Sequence, residues 1–281
     1  ISMVEEPHSD QRPCAFAVGD FNVGKSTLLN ALLRRDVLHA SREEGRALPT
    51  FIGRNWESCD RYATLDADGT TVSPKTHEEF LKVRHERDRP VSAKALAAGC
   101  ATSPFNDLVL VDTAGMSSDN CESVEIAELT HQENALLLVV VDIEYWAAKH
   151  TMDFVAFHQE QFGDRLYIVA NKADHLNAAD IERIQAKAVQ RLEDYGIAPA
   201  PRYFTVSARL ESARRENRDE YRTRTKKRVR ELCDSGFDAL RVALYEFEAA
   251  HAQRQSQATL DDWVRMPLAT SFIRTQEGIP A

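Results

Sequence analysis

A chain of 281 residues, 43% of them hydrophobic, is long enough to bury one large core, and it suits a single large domain or a domain with an appendage. Its net charge of -9 disfavours general attraction to nucleic acid or anionic membranes. The five cysteines are odd in number and widely spaced, which argues against a disulfide framework or a zinc site and favours a reducing, cytoplasmic setting. Residues 1–12 are polar, so we expect a disordered or extraneous N-terminus there and no signal peptide.

The first predicted elements are a strand, a loop and a helix in direct succession. An apolar run over 14–18 predicts a buried strand, and the leucine-rich run over 26–33 predicts a helix. The loop between them matches G-x-x-x-x-G-K-S, the phosphate-binding loop. Its backbone N–H groups and the helix N-terminus would attract phosphate, Lys25 would reach the β- and γ-phosphates, and Ser26 would bind Mg²⁺. The predicted nucleotide contacts are Gly19, Asp20, Asn22, Val23, Gly24, Lys25, Ser26 and Thr27.

A nucleotide-sensitive switch is predicted at the polar loop 37–49. Thr50 ends this loop, and we expect its hydroxyl to bind Mg²⁺ and its N–H to meet the γ-phosphate; a surface threonine opening a strand is the alternative. Two strands, 51–56 and 61–65, follow. Acidic residues near 76–79 indicate a helix start, and 80–98 is predicted to be partly helical. The whole stretch 51–107 forms an insertion whose role the residues do not indicate.

The apolar run 108–111 is typical of a central parallel strand, and it ends in the D-x-x-G sequence from Asp112 to Gly115. Asp112 would hold Mg²⁺ through water, and the Gly115 N–H would approach the γ-phosphate. A helix is predicted over 122–131, a buried strand over 135–141 and a helix over 149–162.

A further strand, 166–170, ends in the N-K-x-D sequence of Asn171, Lys172 and Asp174. A carboxylate at this place can accept hydrogen bonds from guanine N1–H and its exocyclic amine, a pair of donors that adenine lacks. Asn171 would brace the loop, and the Lys172 stem would lie along the base. After an amphipathic helix over 178–195, a strand over 202–206 delivers Ser207 and Ala208, where a backbone N–H would meet guanine O6.

The C-terminal part is predicted to be helical and charged. Residues 209–230 contain ten lysines and arginines but only four acidic residues. This composition suits a patch for RNA or phospholipid headgroups, or, as we favour, a solvated helix within 209–233. Gly236 is expected to break the chain before a closing helix that carries Phe237, Leu240, Leu244 and Phe247 on one face. Residues 13–252 would form the domain, and 253–281 a tail or helical extension.

The four sequence boxes in this order resemble the G domain of translation-factor-class P-loop GTPases. The run from Lys25 through the two leucine pairs, the long insertion, and the S-G-F-D-A-L sequence at 235–240 resemble bacterial dynamin-like proteins most; the phosphate loop also resembles Era and MnmE-type GTPases. The chain departs from dynamins at Phe21 and Asn22, where they carry Gln-Ser, and at Ala114, where they carry Pro. The resemblance implies an α/β fold, with a mostly parallel sheet, helices on both faces and extra C-terminal helices.

The resemblance also implies GTP hydrolysis with Mg²⁺, with Lys25, Thr50, Asn22 and Gly115 as catalytic residues. Met116 stands where Ras-like enzymes carry the water-orienting Gln, so another group must stabilise the transition state. In the relatives K⁺ does so, held in part by an Asn where Asn22 stands, and G domains pair across their nucleotide faces; plain loop geometry is the alternative for Asn22.

The expected partners are GTP, GDP and a second G domain. In the full protein a dynamin-like role implies self-assembly, membrane remodelling and peripheral membrane association from the cytoplasm. Two alternatives stay open: an Era-like GTPase that acts on ribosomal or transfer RNA, which is the less favoured partner, and a GTP-dependent scaffold with negligible turnover.

Overall fold

The computed structural model describes residues 12–38, 48–55, 59–66, 71–72, 76–85, 93–113, 134–146, 148–198, 200–215 and 235–251. Six helices lie in this part of the chain: α1 (Lys25–Leu33), α2 (His77–His85), α3 (Lys149–Phe162), α4 (Ala178–Asp194), α5 (Ala208–Arg215) and α6 (Ser235–His251). The strands are β1 (Cys14–Val18), β2 (Thr50–Arg54), β3 (Arg61–Asp66), β4 (Thr71–Val72), β5 (Ala93–Cys100), β6 (Val109–Asp112), β7 (Ala135–Asp142), β8 (Leu166–Asn171) and β9 (Arg202–Thr205).

The described strands form one mixed, mostly parallel sheet in the order β4-β3-β5-β2-β6-β1-β7-β8-β9. Strands β6, β1, β7, β8 and β9 are parallel to one another, so their carboxyl ends share one edge. Strand β2 is antiparallel to β6, which brings its first residue, Thr50, opposite Asp112 at that same edge. This edge therefore collects the loop after β1 and the ends of β6, β8 and β9, as expected for the ligand side of an open α/β sheet.

Helices cover both faces of the sheet, as predicted. One face of β1 and β7 packs, through residues such as Phe16 and Leu137, against α3 and α4. The other face packs, through Ala17 and Leu138, against α1, α2, α5 and α6. Because the central strands are buried on both sides, they consist of continuous apolar runs. No helix among the described residues is long and apolar enough to cross a membrane.

The prediction of partial helix over 80–98 is wrong in its second half. Helix α2 ends at His85, and β5 begins at Ala93. Alanine favours a helix in isolation, but β5 hydrogen-bonds to β2 on one side and β3 on the other. Its side chains are buried on both faces of the sheet, Ala95 on one and Leu96 on the other. Two ladders and two buried faces outweigh the weak local preference.

Two other predictions need comment. Gly236 does not break the chain, because it lies in the first turn of α6. Phe237, Leu240, Leu244 and Phe247 are buried on one face of that helix, as predicted. The helix expected over 122–131, Gly115 and Met116, most of the first switch loop, the charged stretch beyond Arg215 and the tail 253–281 lie outside the described residues.

Candidate nucleotide and metal site

Two glycines make the loop after β1 possible. Gly19 has φ 146°, and a Cβ atom there would lie 2.0 Å from the carbonyl oxygen of Val140 in β7. Gly24 has φ 93°, and its Cβ would lie 2.5 Å from the Asn171 side-chain nitrogen. Any side chain would therefore clash with neighbouring atoms as well as strain the backbone. The loop can approach the sheet this closely only with glycine at both positions.

Lys25 is the first residue of α1, and its head group lies within the loop. Its Nζ donates to the carbonyl oxygens of Gly19 at 2.6 Å and Asp20 at 3.0 Å. The side chain is buried, so its charge is directed at the loop interior and away from bulk water. A cation held there, at a helix N-terminus, suits the binding of a phosphate chain.

Ser26 and Asp112 meet where the sequence predicted the metal. The Ser26 hydroxyl donates to Asp112 Oδ2 at 2.7 Å. The other carboxylate oxygen, Oδ1, is buried and has no hydrogen-bond partner among the described residues. Hard oxygen donors of this kind are those that Mg²⁺ prefers, so the pair fits the ion. Phosphate oxygens and water would have to supply its remaining ligands.

Thr50 lies beside this pair but is differently engaged. It is fully buried, and it is the residue of β2 that pairs with Asp112. Its hydroxyl donates to the Leu48 carbonyl oxygen at 3.1 Å, inside its own segment. Thr50 therefore opens a strand, but it is not the surface threonine of the alternative interpretation, because it is buried at the metal edge.

Asn171 connects three of the sequence boxes. Its side-chain nitrogen donates to the Val23 carbonyl oxygen at 2.9 Å, and its side-chain oxygen accepts from the Ala208 N–H at 3.0 Å. Asp174 accepts from the Ser207 hydroxyl at 2.7 Å. The residues expected at the base thus form one hydrogen-bonded group next to the phosphate loop.

Lys172 follows Asn171 in the left-handed conformation, with φ 68°. Its Nζ makes an ion pair with Asp142, at the end of β7, at 2.9 Å. Asp142 and Lys172 also line a cavity of about 200 Å³ beside the phosphate loop, together with Asn22 and Trp146. Asn22 likewise has a positive φ, 62°. Asparagine tolerates this left-handed conformation, which agrees with the alternative that Asn22 serves the loop geometry.

Two further polar contacts at the phosphate loop and the metal pair come from residues that were not predicted. Arg84, near the end of α2, contacts both Ser26 and Asp112, with a guanidinium-to-hydroxyl distance of 3.3 Å and an ion pair to the carboxylate. His150 of α3 lies 2.6 Å from the Asp20 carboxylate, and both side chains are partly exposed. No motif contains either residue, so only the folded chain reveals them.

These features define a P-loop nucleotide-binding domain of the GTPase class. They are a β-strand, a glycine-dependent phosphate loop, a Ser–Asp pair and an N-K-x-D loop at one sheet edge. The sequence model of the dynamin family matches residues 16–173, more than half of the chain. The chain therefore belongs to the dynamin family and contains its G domain.

Individual relatives agree with this membership. The chain is 26% identical over 168 residues to Dynamin-like protein 2 of Campylobacter jejuni and 24% identical over 208 residues to Dynamin-like protein A of Bacillus subtilis. These matches cover 59% and 73% of the chain. It is also 24% identical over 180 residues, 64% of its length, to GTPase Der of Thermosipho melanesiensis.

Solved structures support the fold. Two matches come from an oligomerised bacterial dynamin pair described as providing a mechanism for long-range sensing and tethering of membranes, with TM-scores of 0.61 and 0.59 and identities of 16% and 15%. They cover 86% and 87% of this chain but 48% and 40% of the matched chains. In the curated relatives, only 27%, 37% and 17% of the length is matched.

Proposed function

We propose that this domain binds GTP with Mg²⁺ and hydrolyses it to GDP and phosphate. The observation that carries the proposal is that three contacts share one sheet edge. They are Lys25 within its loop, the Ser26–Asp112 pair, and the bonds from the N-K-x-D loop to Ser207 and Ala208. In such a site the metal would neutralise charge on the β- and γ-phosphates, while Lys25 and the loop N–H groups hold them in line for attack by water.

Guanine selection is assigned to Asp174. Asp174 is buried, and its carboxylate accepts a hydrogen bond from the Ser207 hydroxyl at 2.7 Å. Two acceptor oxygens suit the N1–H and amine of guanine, and adenine would leave the carboxylate unpaired. The Ala208 N–H is already bonded to Asn171, so any contact to guanine O6 would require a neighbouring N–H or a shared hydrogen bond.

We expect Asp174→Asn to exchange the base preference. An amide offers one acceptor and one donor, so it suits xanthine, which carries a carbonyl where guanine has its amine. Binding of fluorescent GDP should weaken at least about 100-fold while xanthosine diphosphate gains, because two charge-assisted hydrogen bonds are lost. A matched control is Asp180→Asn, on the exposed start of α4, which should leave both affinities unchanged. Equal preference for the two bases in the wild type would contradict the assignment.

Self-association and a monovalent cation are proposed to raise the rate. Met116 offers no hydrogen bond to water, so a group from elsewhere must stabilise the transition state. The resemblance of the phosphate loop to MnmE-type GTPases supports K⁺ near Asn22. The family membership supports pairing of G domains across their nucleotide faces. In the full-length protein we propose self-assembly and membrane remodelling from the cytoplasmic side. The bacterial dynamin pair of similar fold is itself described as oligomerised and as sensing and tethering membranes.

The deciding experiment is GTP hydrolysis measured against protein concentration, in KCl and in NaCl, with ATP as a control. We expect a specific rate that rises with concentration and with K⁺ and is absent for ATP. Asn22→Asp should change the dependence on the salt, and an unchanged dependence would remove K⁺ from the proposal. No measurable single turnover at high protein concentration would instead support a GTP-dependent scaffold, and salt-sensitive RNA binding would support an RNA-directed role.

A further inference from the structure

The inference concerns Arg84, which lies in α2 within the insertion between the first switch and β6. Its side chain is 3% exposed, and Asp112, its ion-pair partner, is 1% exposed. The guanidinium Nη2 also contacts the Ser26 hydroxyl at 3.3 Å. The remaining guanidinium nitrogens, Nε and Nη1, are buried and have no hydrogen-bond partner among the described residues. Burying a guanidinium with two unpaired nitrogens is costly, so the ion pair contributes little net stability to the fold.

The partners of Arg84 are the two groups that fit Mg²⁺. Ser26 and Asp112 lie 2.7 Å apart, and Nη2 is within hydrogen-bonding reach of both oxygens. A metal ion held by this pair would need the same Ser26 and Asp112 oxygens that Nη2 contacts, and it would carry the same sign of charge. The guanidinium and the metal therefore cannot both stay at this pair.

We propose that Arg84 is a built-in competitor of Mg²⁺: it neutralises Asp112 when no metal is bound and must leave when Mg²⁺ arrives with the nucleotide. This inference rests on the proposed nucleotide function and gives the insertion a role in it. Binding of the metal is opposed by the ion pair, so nucleotide loading needs more free Mg²⁺ than the bare Ser–Asp pair would require.

Helix α2 connects this competition to the first switch. The His77 ring, at the start of α2, lies 3.0 Å from the Val37 carbonyl oxygen, at the beginning of the predicted switch loop. The same ring stacks on Tyr62 of β3, with centroids 5.1 Å apart, and Phe80 packs on Tyr62 at 4.9 Å. Displacement of Arg84 thus changes the contacts of a helix that is anchored beside the switch.

The test is retention of fluorescent GDP as a function of free Mg²⁺, set with EDTA buffers. Arg84→Gln keeps a hydrogen-bond donor for Asp112 but removes the charge, so half-maximal retention should move to about tenfold lower free Mg²⁺. Arg84→Lys keeps the charge and should lie between this variant and the wild type. Lys82→Ala is the matched control, because Lys82 is exposed on the same helix and pairs with Glu78.

A remote variant keeps the test valid if the Arg84 variants do not fold by circular dichroism. His77→Ala touches neither Ser26 nor Asp112 but loosens α2, so it should lower the Mg²⁺ midpoint in the same direction. An unchanged or raised midpoint in the folded variants would overturn the proposal. A normal midpoint with lost hydrolysis in Arg84→Gln would also overturn it and would instead place Arg84 on the phosphates. If the wild type binds no fluorescent GDP at saturating Mg²⁺, the proposed function itself fails.

Discussion

At the scale of single residues, Asn171 connects the phosphate loop to the segment after β9. It bonds both Val23 and the Ala208 N–H, and both bonds are buried. Asn171→Ala leaves a carbonyl and an N–H without partners, so the free energy of unfolding should fall by about 2–3 kcal/mol, and nucleotide binding should weaken as the loops separate. Urea denaturation without nucleotide measures the first effect.

The control for Asn171 is Asn177→Ala. Asn177 caps α4 by accepting from the Asp180 N–H at 2.9 Å, so its loss should lower the free energy of unfolding by about 1 kcal/mol and leave nucleotide affinity unchanged. If both variants lose the same stability and both bind nucleotide normally, Asn171 does not connect the two loops as described.

His158 predicts a pH dependence of stability. It is buried in α3 among the rings of Phe154 and Phe157, and burial lowers its pKa from 6.5 to about 4, although a hydrogen bond with Gln161 opposes the shift. The folded pKa is the lower one, so the unfolded chain takes up the proton first as the pH falls. The contribution of the neutral ring is complete above pH 6.5 and is lost progressively between 6.5 and 4.

The corresponding variant is His158→Phe, which keeps a ring at this position but does not titrate. Between pH 7 and pH 5 the wild type should lose up to about 2 kcal/mol more of its unfolding free energy than the variant, since 1.5 pKa units lie between pH 5 and the unfolded value. The measurement is chemical denaturation at both pH values. Identical losses of unfolding free energy in the two proteins would show that protonation of His158 does not destabilise the folded state.

At this scale the sequence predicted the residues that belong to motifs, because the binding of phosphate and guanine requires fixed spacings between them. Asp112 and Asn171 end strands, Lys25 and Ser26 begin the helix after the phosphate loop, and the motifs thus place all four at the same sheet edge. Arg84 could not be predicted, since it reaches Ser26 across 58 positions and Asp112 across 28, through an insertion with no motif. The hydroxyl bond of Thr50 to Leu48 is also a product of local chain folding that no motif encodes.

At the scale of elements, a buried carboxylate of α6 bonds the chain just before β6. Glu248 is buried, and its Oε1 accepts from the N–H groups of Asp107 and Leu108, immediately before β6, at 2.6 and 2.9 Å. Glu248→Ala should lower the free energy of unfolding by about 3 kcal/mol, because two buried N–H groups lose a charged acceptor. Thermal or chemical denaturation of the purified domain checks this value.

Glu246 offers a matched control two positions earlier. It pairs with Arg202 at 2.8 Å, and both side chains are more than half exposed. An exposed ion pair contributes little, so Glu246→Ala should change the free energy of unfolding by less than about 1 kcal/mol. A Glu248 variant no weaker than this control would mean that the apolar face of α6 alone holds the helix in place.

The elements also show where sequence patterns stop being informative. Helix α3 has the predicted bounds, because its buried residues recur with helical spacing and Gly163 follows as its C-cap. Strand β5 was missed because its alanine-rich sequence has no alternation that distinguishes a strand buried on both faces from a helix. Its identity depends on β2 and β3, which lie far away along the chain.

At the scale of the whole molecule, the sheet has two parts, one that carries the nucleotide-binding motifs and one formed mainly by the insertion. The strands β6, β1, β7, β8 and β9 supply the motif-bearing ends, whereas β2, β3, β4 and β5 extend the sheet on the side of Arg84. The parallel direction of the first part was predicted, since its strands alternate with helices along the chain, whereas its strand order was not. The second part pairs through hairpin-like and crossover contacts that depend on register, so its place next to β6 could not be predicted.

The surface around the phosphate loop makes the proposed pairing of G domains testable. Tyr145 is 71% exposed in the turn between β7 and α3, and it lines the same cavity as Gly19 and Asn22. An aromatic ring on the nucleotide face would be buried if two such faces met, and aromatic residues contribute strongly to interfaces. Tyr145→Ala should therefore raise the protein concentration needed for half-maximal GTPase rate by about tenfold, equivalent to 1.4 kcal/mol.

Phe157→Ala supplies the comparison, because Phe157 is 57% exposed two turns along α3 and does not line that cavity. It should leave the concentration dependence unchanged, and both variants should bind fluorescent GDP as the wild type does. Sedimentation velocity with a GTP analogue in KCl should show fewer dimers for Tyr145→Ala alone. If the two variants behave alike, the nucleotide face is not where the domains meet. The same conclusion holds if Tyr145→Ala loses nucleotide affinity instead, because its lower GTPase rate would then arise within one molecule.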